Sequence, residues 1–100
     1  MKKVKITVKR ITVYDDLSKE YENPVDYPCC HKEGEEFISQ ELEKPKGFCD
    51  SAWSTLFPFV KALALGGEYL YDGWMKDPRS VMISCNDGFR PVTFLVEAYE

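Results

Sequence analysis

The sequence predicts an α+β domain in which an antiparallel sheet of about four strands packs around one main, Pro-kinked helix. Two patterns lead there. Val4-Ile6-Val8, Val81-Ile83-Cys85 and Val92-Phe94-Val96-Ala98 alternate at period two, as strands buried on one face do. Gly47 to Gly67 is the only stretch long and apolar enough for a central helix, and it ends in a glycine pair suited to a left-handed stop.

In chain order, residues 3–14 predict a strand with a defect. Val4, Ile6 and Val8 share a face, but Ile11 and Val13 are out of phase with them. A bulge near Lys9 and Arg10 would insert one residue and restore the buried face. Lys2, Lys3, Lys5, Lys9 and Arg10 make this strand basic and suit the solvated side of an edge strand, where lysines discourage edge-to-edge pairing. From Asp15 to Pro28 the pattern disappears. Acids interspersed with Asn23-Pro24 and Tyr27-Pro28 predict an exposed loop, and the ligand spacing and central glycine of an EF-hand are missing. Cys29-Cys30-His31 then leads through a turn at Gly34 into a short strand over 35–41, anchored by Phe37 and Ile38.

The helix is expected over 50–65. Asp50 or Ser51 can cap it, since each offers an oxygen to the unpaired N–H groups of the first turn. Trp53, Leu56, Phe57, Val60, Leu63 and Ala64 recur at helical spacing, and Ala52, Phe59, Ala62 and Leu65 widen the apolar arc so far that a sheet should wrap it. Pro58 lacks an N–H and crowds the carbonyl of Ser54, which predicts a kink or a division into two short turns. Tyr69, Tyr71, Trp74 and Met75 follow in an irregular connection, placed as a lid on the core. Strands over 80–85 and 91–98 close the chain, joined by a hairpin loop around Asp87-Gly88.

Composition narrows the class. One hundred residues, 44% apolar and 30% charged, describe one globular domain spanning residues 1–100. No run is apolar enough for a membrane span and the N-terminus shows no signal-peptide core, so a cytoplasmic protein is expected. The net charge of −4 argues against a general nucleic-acid binder. Four cysteines without an export signal point to metal or redox work rather than to a disulfide framework. Cys29 and Cys30 are adjacent, and adjacent cysteines rarely bridge each other because the peptide between them is strained.

Three segments carry a resemblance: Cys30-His31-Lys32-Glu33-Gly34-Glu35-Glu36-Phe37; Gly47-Phe48-Cys49-Asp50 running on to Phe57-Pro58-Phe59 and Gly66-Gly67; and Cys85-Asn86-Asp87 before Pro91-Val92. With the basic opening strand, they resemble an uncharacterised family of small single-domain prokaryotic proteins. The resemblance implies an intact domain and highlights Cys30, Cys49 and Cys85, but implies no reaction. The acidic segment from Asp15 to Pro28, Cys29 and Gly88 depart from its pattern.

Two chemistries are open to these residues. Cys30, His31, Cys49 and Cys85 add up to a Cys₃His set of the kind that binds zinc, with Cys29 and His31 an equally good pair at one corner. The ligands come singly from three places rather than in C-x₂₋₄-C knuckles, and the blander reading makes Cys85 a small core residue and His31 a loop cap. Alternatively, Cys49 at a helix N-terminus feels the positive dipole end, which lowers a thiol pKa and suits a thiol-based enzyme or redox protein. Asp50 opposes that shift, there is no C-x-x-C partner, and a Cys49–His31 dyad has no evident orienting third group. The expected function is a small binding or interaction module, for an unknown ligand or protein partner, with a Cys/His metal site. The geometric expectation is that Cys49 and Cys85 approach one another, and at least one of Cys29, Cys30 and His31, at one end of the helix.

Overall fold

A computed structural model describes residues 1–25 and 29–100, and among these described residues there are four strands and two helices. They are β1 (Val4–Ile11), α1 (Asp15–Tyr21), β2 (Glu36–Ser39), α2 (Asp50–Ala64), β3 (Ser80–Ser84) and β4 (Val92–Ala98). The strands form one sheet in the order β2-β1-β4-β3, with every neighbouring pair antiparallel. The α+β class and the helix-on-sheet arrangement are as the sequence predicts.

β1 is an inner strand, not the edge strand its lysines suggested. Its outward positions are covered by cross-strand pairing: Lys5 Nζ lies 3.1 Å from Glu36 on β2 and 5.7 Å from the centre of the Tyr99 ring. The bulge falls at Lys9, since Val8 pairs with Phe94 and Arg10 with Thr93. The extra residue turns Ile11 onto the core side, opposite Val92. The strand ends there, and Val13 is exposed rather than buried.

The segment expected to be a loop contains a helix. α1 is seven residues long and buries nothing, so it carries no apolar stripe that periodicity could detect. Asp15 and Asp16 in its first turn and Lys19 in its last complement the helix dipole. It is held from outside. Tyr14 N–H donates to Phe89 O (2.8 Å), and the Arg90 guanidinium reaches Glu22 just past its end. The part of the expected loop at Asp26 and Tyr27-Pro28 lies outside the described residues.

α2 is one continuous helix through Pro58, not two short turns. Pro58 is exposed, so the bond it cannot give to Ser54 is missing on the side open to water. The N-cap is Cys49 rather than Asp50 or Ser51, and its own side chain makes no capping hydrogen bond. At the other end Gly66 takes a φ of 92°, with Gly66 N–H donating to Leu63 O (3.0 Å) and Gly67 N–H to Ala62 O (2.8 Å), a Schellman stop.

The core lies between α2 and one face of the sheet. Ala52, Leu56, Val60, Leu63 and Ala64 meet Val4, Ile6, Val8, Val81, Ile83, Val92, Phe94 and Val96, with Phe48 sealing the end near the start of α2. The sheet does not wrap the helix. Trp53, Phe57 and Phe59 are only half-buried, and Leu65 is 62% exposed. The connection after α2 covers part of the remainder, with Leu70 and Tyr71 against the core and Tyr71 beside Phe59, but Tyr69 and Trp74 are 61% and 83% exposed. The aromatic lid is therefore half a lid.

Candidate functional site

All four cysteines and the only histidine line one cleft at the N-terminal end of α2. The cleft holds about 320 Å³, room for a small ligand or a coordinated ion, and its walls come from the Cys29–His31 segment, the start of α2, and the β3–β4 connection with the opening of β4. Cys49 and Cys85 were expected to approach one another, and at least one of Cys29, Cys30 and His31, at one end of the helix; all five line this cleft, where a helix start, the residue after a strand and the turn before another strand meet.

The thiols differ in how they are held. Cys85 directly follows β3, and its backbone N–H donates to Val92 O (2.9 Å) while its Sγ accepts the Val92 N–H (3.2 Å). Cys29 Sγ accepts the His31 N–H (3.4 Å). Both sulfurs thus already accept a backbone N–H on the cleft side of the domain. Cys49 is half-buried, and its carbonyl accepts Trp53 N–H (2.9 Å) as the first bond of α2. Cys30 is exposed as a residue, yet desolvation of its thiol against the cleft pushes it above the ordinary value, and the nearby Cys49 and Cys29 sulfurs add to the shift. All four are free thiols.

His31 is the most buried of the group, with a side chain only 2% exposed. Its ring sits among Phe48, Phe37 and Phe94, at centroid distances of 5.0, 5.3 and 5.9 Å. Nε2 accepts the Cys49 N–H (3.2 Å), one of the donors that a helix start leaves unpaired. Nδ1 has no aligned partner, and Glu35 Oε1 lies 3.4 Å from it. Glu35 is the carboxylate beside Nδ1, without an aligned hydrogen bond to it, and the sequence alone assigned it no role. Its signal is the four-residue spacing from His31.

The rest of the wall includes Ser51, expected as a cap, and Asn86 and Asp87, expected in a hairpin loop, none of which was read as part of a site. Ser51 Oγ donates to Asn86 Oδ1 (2.9 Å) and Asn86 Nδ2 donates to Ser51 O (3.3 Å), tying the start of α2 to the residue after Cys85. Asp87 Oδ1 accepts the N–H groups of Phe89 (2.8 Å) and Arg90 (3.0 Å), which folds the hairpin loop back on itself. Arg90 lines the cleft while its guanidinium is taken by Glu22 and Ser18. Asp50 does not line the cleft and is ion-paired with Lys44.

Among the described residues no three His, Cys, Asp or Glu side chains stand as a ready-made ligand group, so Cys30, His31, Cys49 and Cys85 share a cleft without forming a closed tetrahedron. No described helix is long and apolar enough to cross a membrane. Fold and site together define a small α+β domain with a thiol-lined cleft at the start of its central helix. Comparison with protein-family models, with curated proteins and with solved structures finds no match to the chain.

Proposed function

We propose that the domain is a binding module whose cleft takes a soft metal cation, zinc first among the candidates, on thiolates drawn from Cys29, Cys30, Cys49 and Cys85. The observation that carries this reading is that every thiol of the chain lines one cleft, two of them with backbone N–H groups directed at the sulfur. Zinc–sulfur bonds of about 2.3 Å need the sulfurs drawn inward from their present positions, a movement that rotation of the exposed Cys29 and Cys30 side chains can supply. A bound cation would also reverse the upward shift at Cys30, because a coordinating thiol is deprotonated outright. A reducing, cytoplasmic setting suits four free thiols. The resemblance to small prokaryotic proteins fits the same reading, since its Cys30-His31, Cys49 and Cys85 segments are those that build the cleft.

The competing reading, a thiol enzyme or redox protein acting through Cys49, has the helix start in its favour. His31 stands against it. A general base needs its nitrogen lone pair toward the thiol, and here Nε2 is committed to the Cys49 backbone N–H. The deciding measurement is metal content per chain together with the free-thiol count, on protein prepared without a metal-affinity tag. About one zinc per chain, with three or four thiols protected until chelation, is the expected result. A metal-free protein that takes up neither zinc nor cadmium, with Cys49 alkylating fastest and its rate titrating below the ordinary thiol range, would transfer the assignment to thiol chemistry.

A further inference from the structure

We infer, on the reading of the cleft as a soft-cation site, that His31 is a positioning residue for that site and not one of its ligands. A metal-binding imidazole needs a free lone pair directed at the ion. Nε2 spends its lone pair on the Cys49 N–H, 3.2 Å away. A neutral ring accepting at Nε2 carries its proton on Nδ1, which leaves no lone pair there, and Nδ1 faces the Glu35 carboxylate at 3.4 Å. Turning either nitrogen toward the thiols would pull the ring out from among Phe37, Phe48 and Phe94.

The same residue touches two of the thiol-bearing residues, one through its ring and one through its backbone. Its ring fixes the amide of Cys49, and its own N–H bonds to Cys29 Sγ at 3.4 Å. His31 thus links the segment that carries Cys29 and Cys30 to the first residue of α2. Cys85 is placed independently, through Val92 on β4. Groups that orient ligands without touching the metal commonly account for about a 10- to 100-fold difference in metal affinity.

Because the chain has a single histidine, its ring nitrogens can be observed without ambiguity in protein labelled with ¹⁵N-histidine. The metal-free native chain should show the Nδ1-protonated tautomer with Nε2 as acceptor. Addition of zinc or ¹¹³Cd should shift Cys49 and its thiol partners, leave that tautomer in place, and give no cadmium coupling to either ring nitrogen. Cadmium coupling at the ring, or an Nε2-protonated tautomer in the metal-free chain, overturns the inference.

Two variants provide a second readout. His31→Gln restores an acceptor for the Cys49 N–H but is a poor zinc ligand, and should keep native zinc affinity and a native rate of Cys49 alkylation. His31→Leu fills the space without an acceptor, and should weaken zinc by about 10-fold or more while alkylation of Cys49 quickens relative to Cys85. If both variants fold by circular dichroism and Gln falls to the Leu level, the imidazole itself is required and the positioning role fails. If the native chain binds no zinc or cadmium, the cleft reading fails instead, and the tautomer and alkylation rates still decide whether His31 positions Cys49.

Discussion

At the scale of single residues, burial and not residue type decides what a side chain contributes. Leu56 is completely buried between α2 and the sheet, so Leu56→Ala should cost about 2–5 kcal/mol through lost burial and the cavity left behind. Trp53 is the larger residue and, from its helical spacing, an equal candidate for the centre of the core. It lies at the margin, half-buried, with its ring 6.1 Å from Phe48 and 5.6 Å from Phe57. Trp53→Ala should therefore fall below the roughly 3–5 kcal/mol typical of a buried aromatic. Denaturant midpoints of the two variants test the order, and a larger loss at Trp53 would show that the half-exposed side of α2 is covered in solution. His31 follows the same logic in the polar direction. Buried among three rings, it acts through the one hydrogen bond it is free to make.

Elements are ended and tethered by a few backbone and ionic contacts, and these can be probed separately. The C-terminus of α2 needs glycine at position 67 for space rather than for φ. A Cβ there would stand 2.8 Å from the carbonyl oxygen of Ala62, and a backbone atom cannot turn aside. Gly67→Ala should destabilise the domain by about 1–3 kcal/mol, measured by thermal or denaturant unfolding, with the last turn of α2 losing amide protection first. α1 depends on Glu22 and Arg90. Hydrogen bonding to the Arg90 guanidinium holds the Glu22 carboxyl below its ordinary value of 4.5, against an opposing desolvation effect. A carboxyl depressed in the folded state contributes stability that is fully present above its unfolded pKa and is lost as pH falls through the lower folded value. Amide exchange in α1 should therefore accelerate on acidification below about pH 4.5, before the sheet opens, and Glu22→Gln should abolish that step. An α1 that stays protected to the point of global unfolding would mean that other contacts hold it.

Across the whole molecule, one sheet face and one helix share a single core, and the connection between α2 and β3 covers only part of what is left. The two tryptophans report this directly. Trp74 is 83% exposed and Trp53 is half-buried, so iodide should quench two distinct populations and Trp74→Phe should remove the accessible one. The same substitution should change stability by less than about 0.5 kcal/mol. Equal quenching of both rings would mean that the lid closes further than its exposed Tyr69 and Trp74 suggest. If the cleft takes zinc, chelation should lower the unfolding midpoint of the entire domain, because the three wall segments come from distant parts of the chain and would separate together.

The sequence by itself determined what depends on local periodicity and stereochemistry. β4 read at period two, α2 at helical spacing, the bulge at Lys9 from an out-of-phase Ile11, and the glycine stop after Ala64 each follow from neighbours a few positions apart. Even the grouping of the cysteines at one rim was legible, since Cys49 opens α2, Cys85 follows β3 and Cys29-Cys30 precedes the turn into β2. Tertiary structure alone decided which features face what. β1 became an inner strand because β2 and β4 flank it, whatever its lysines suggested. α1 formed without an apolar stripe because Arg90, 68 residues beyond Glu22, anchors it. The cap fell to Cys49, whose own N–H is accepted by a histidine 18 residues earlier, rather than to Asp50 or Ser51. Such contacts between distant positions have no period and no spacing, and they exist only once the sheet has brought its ends together.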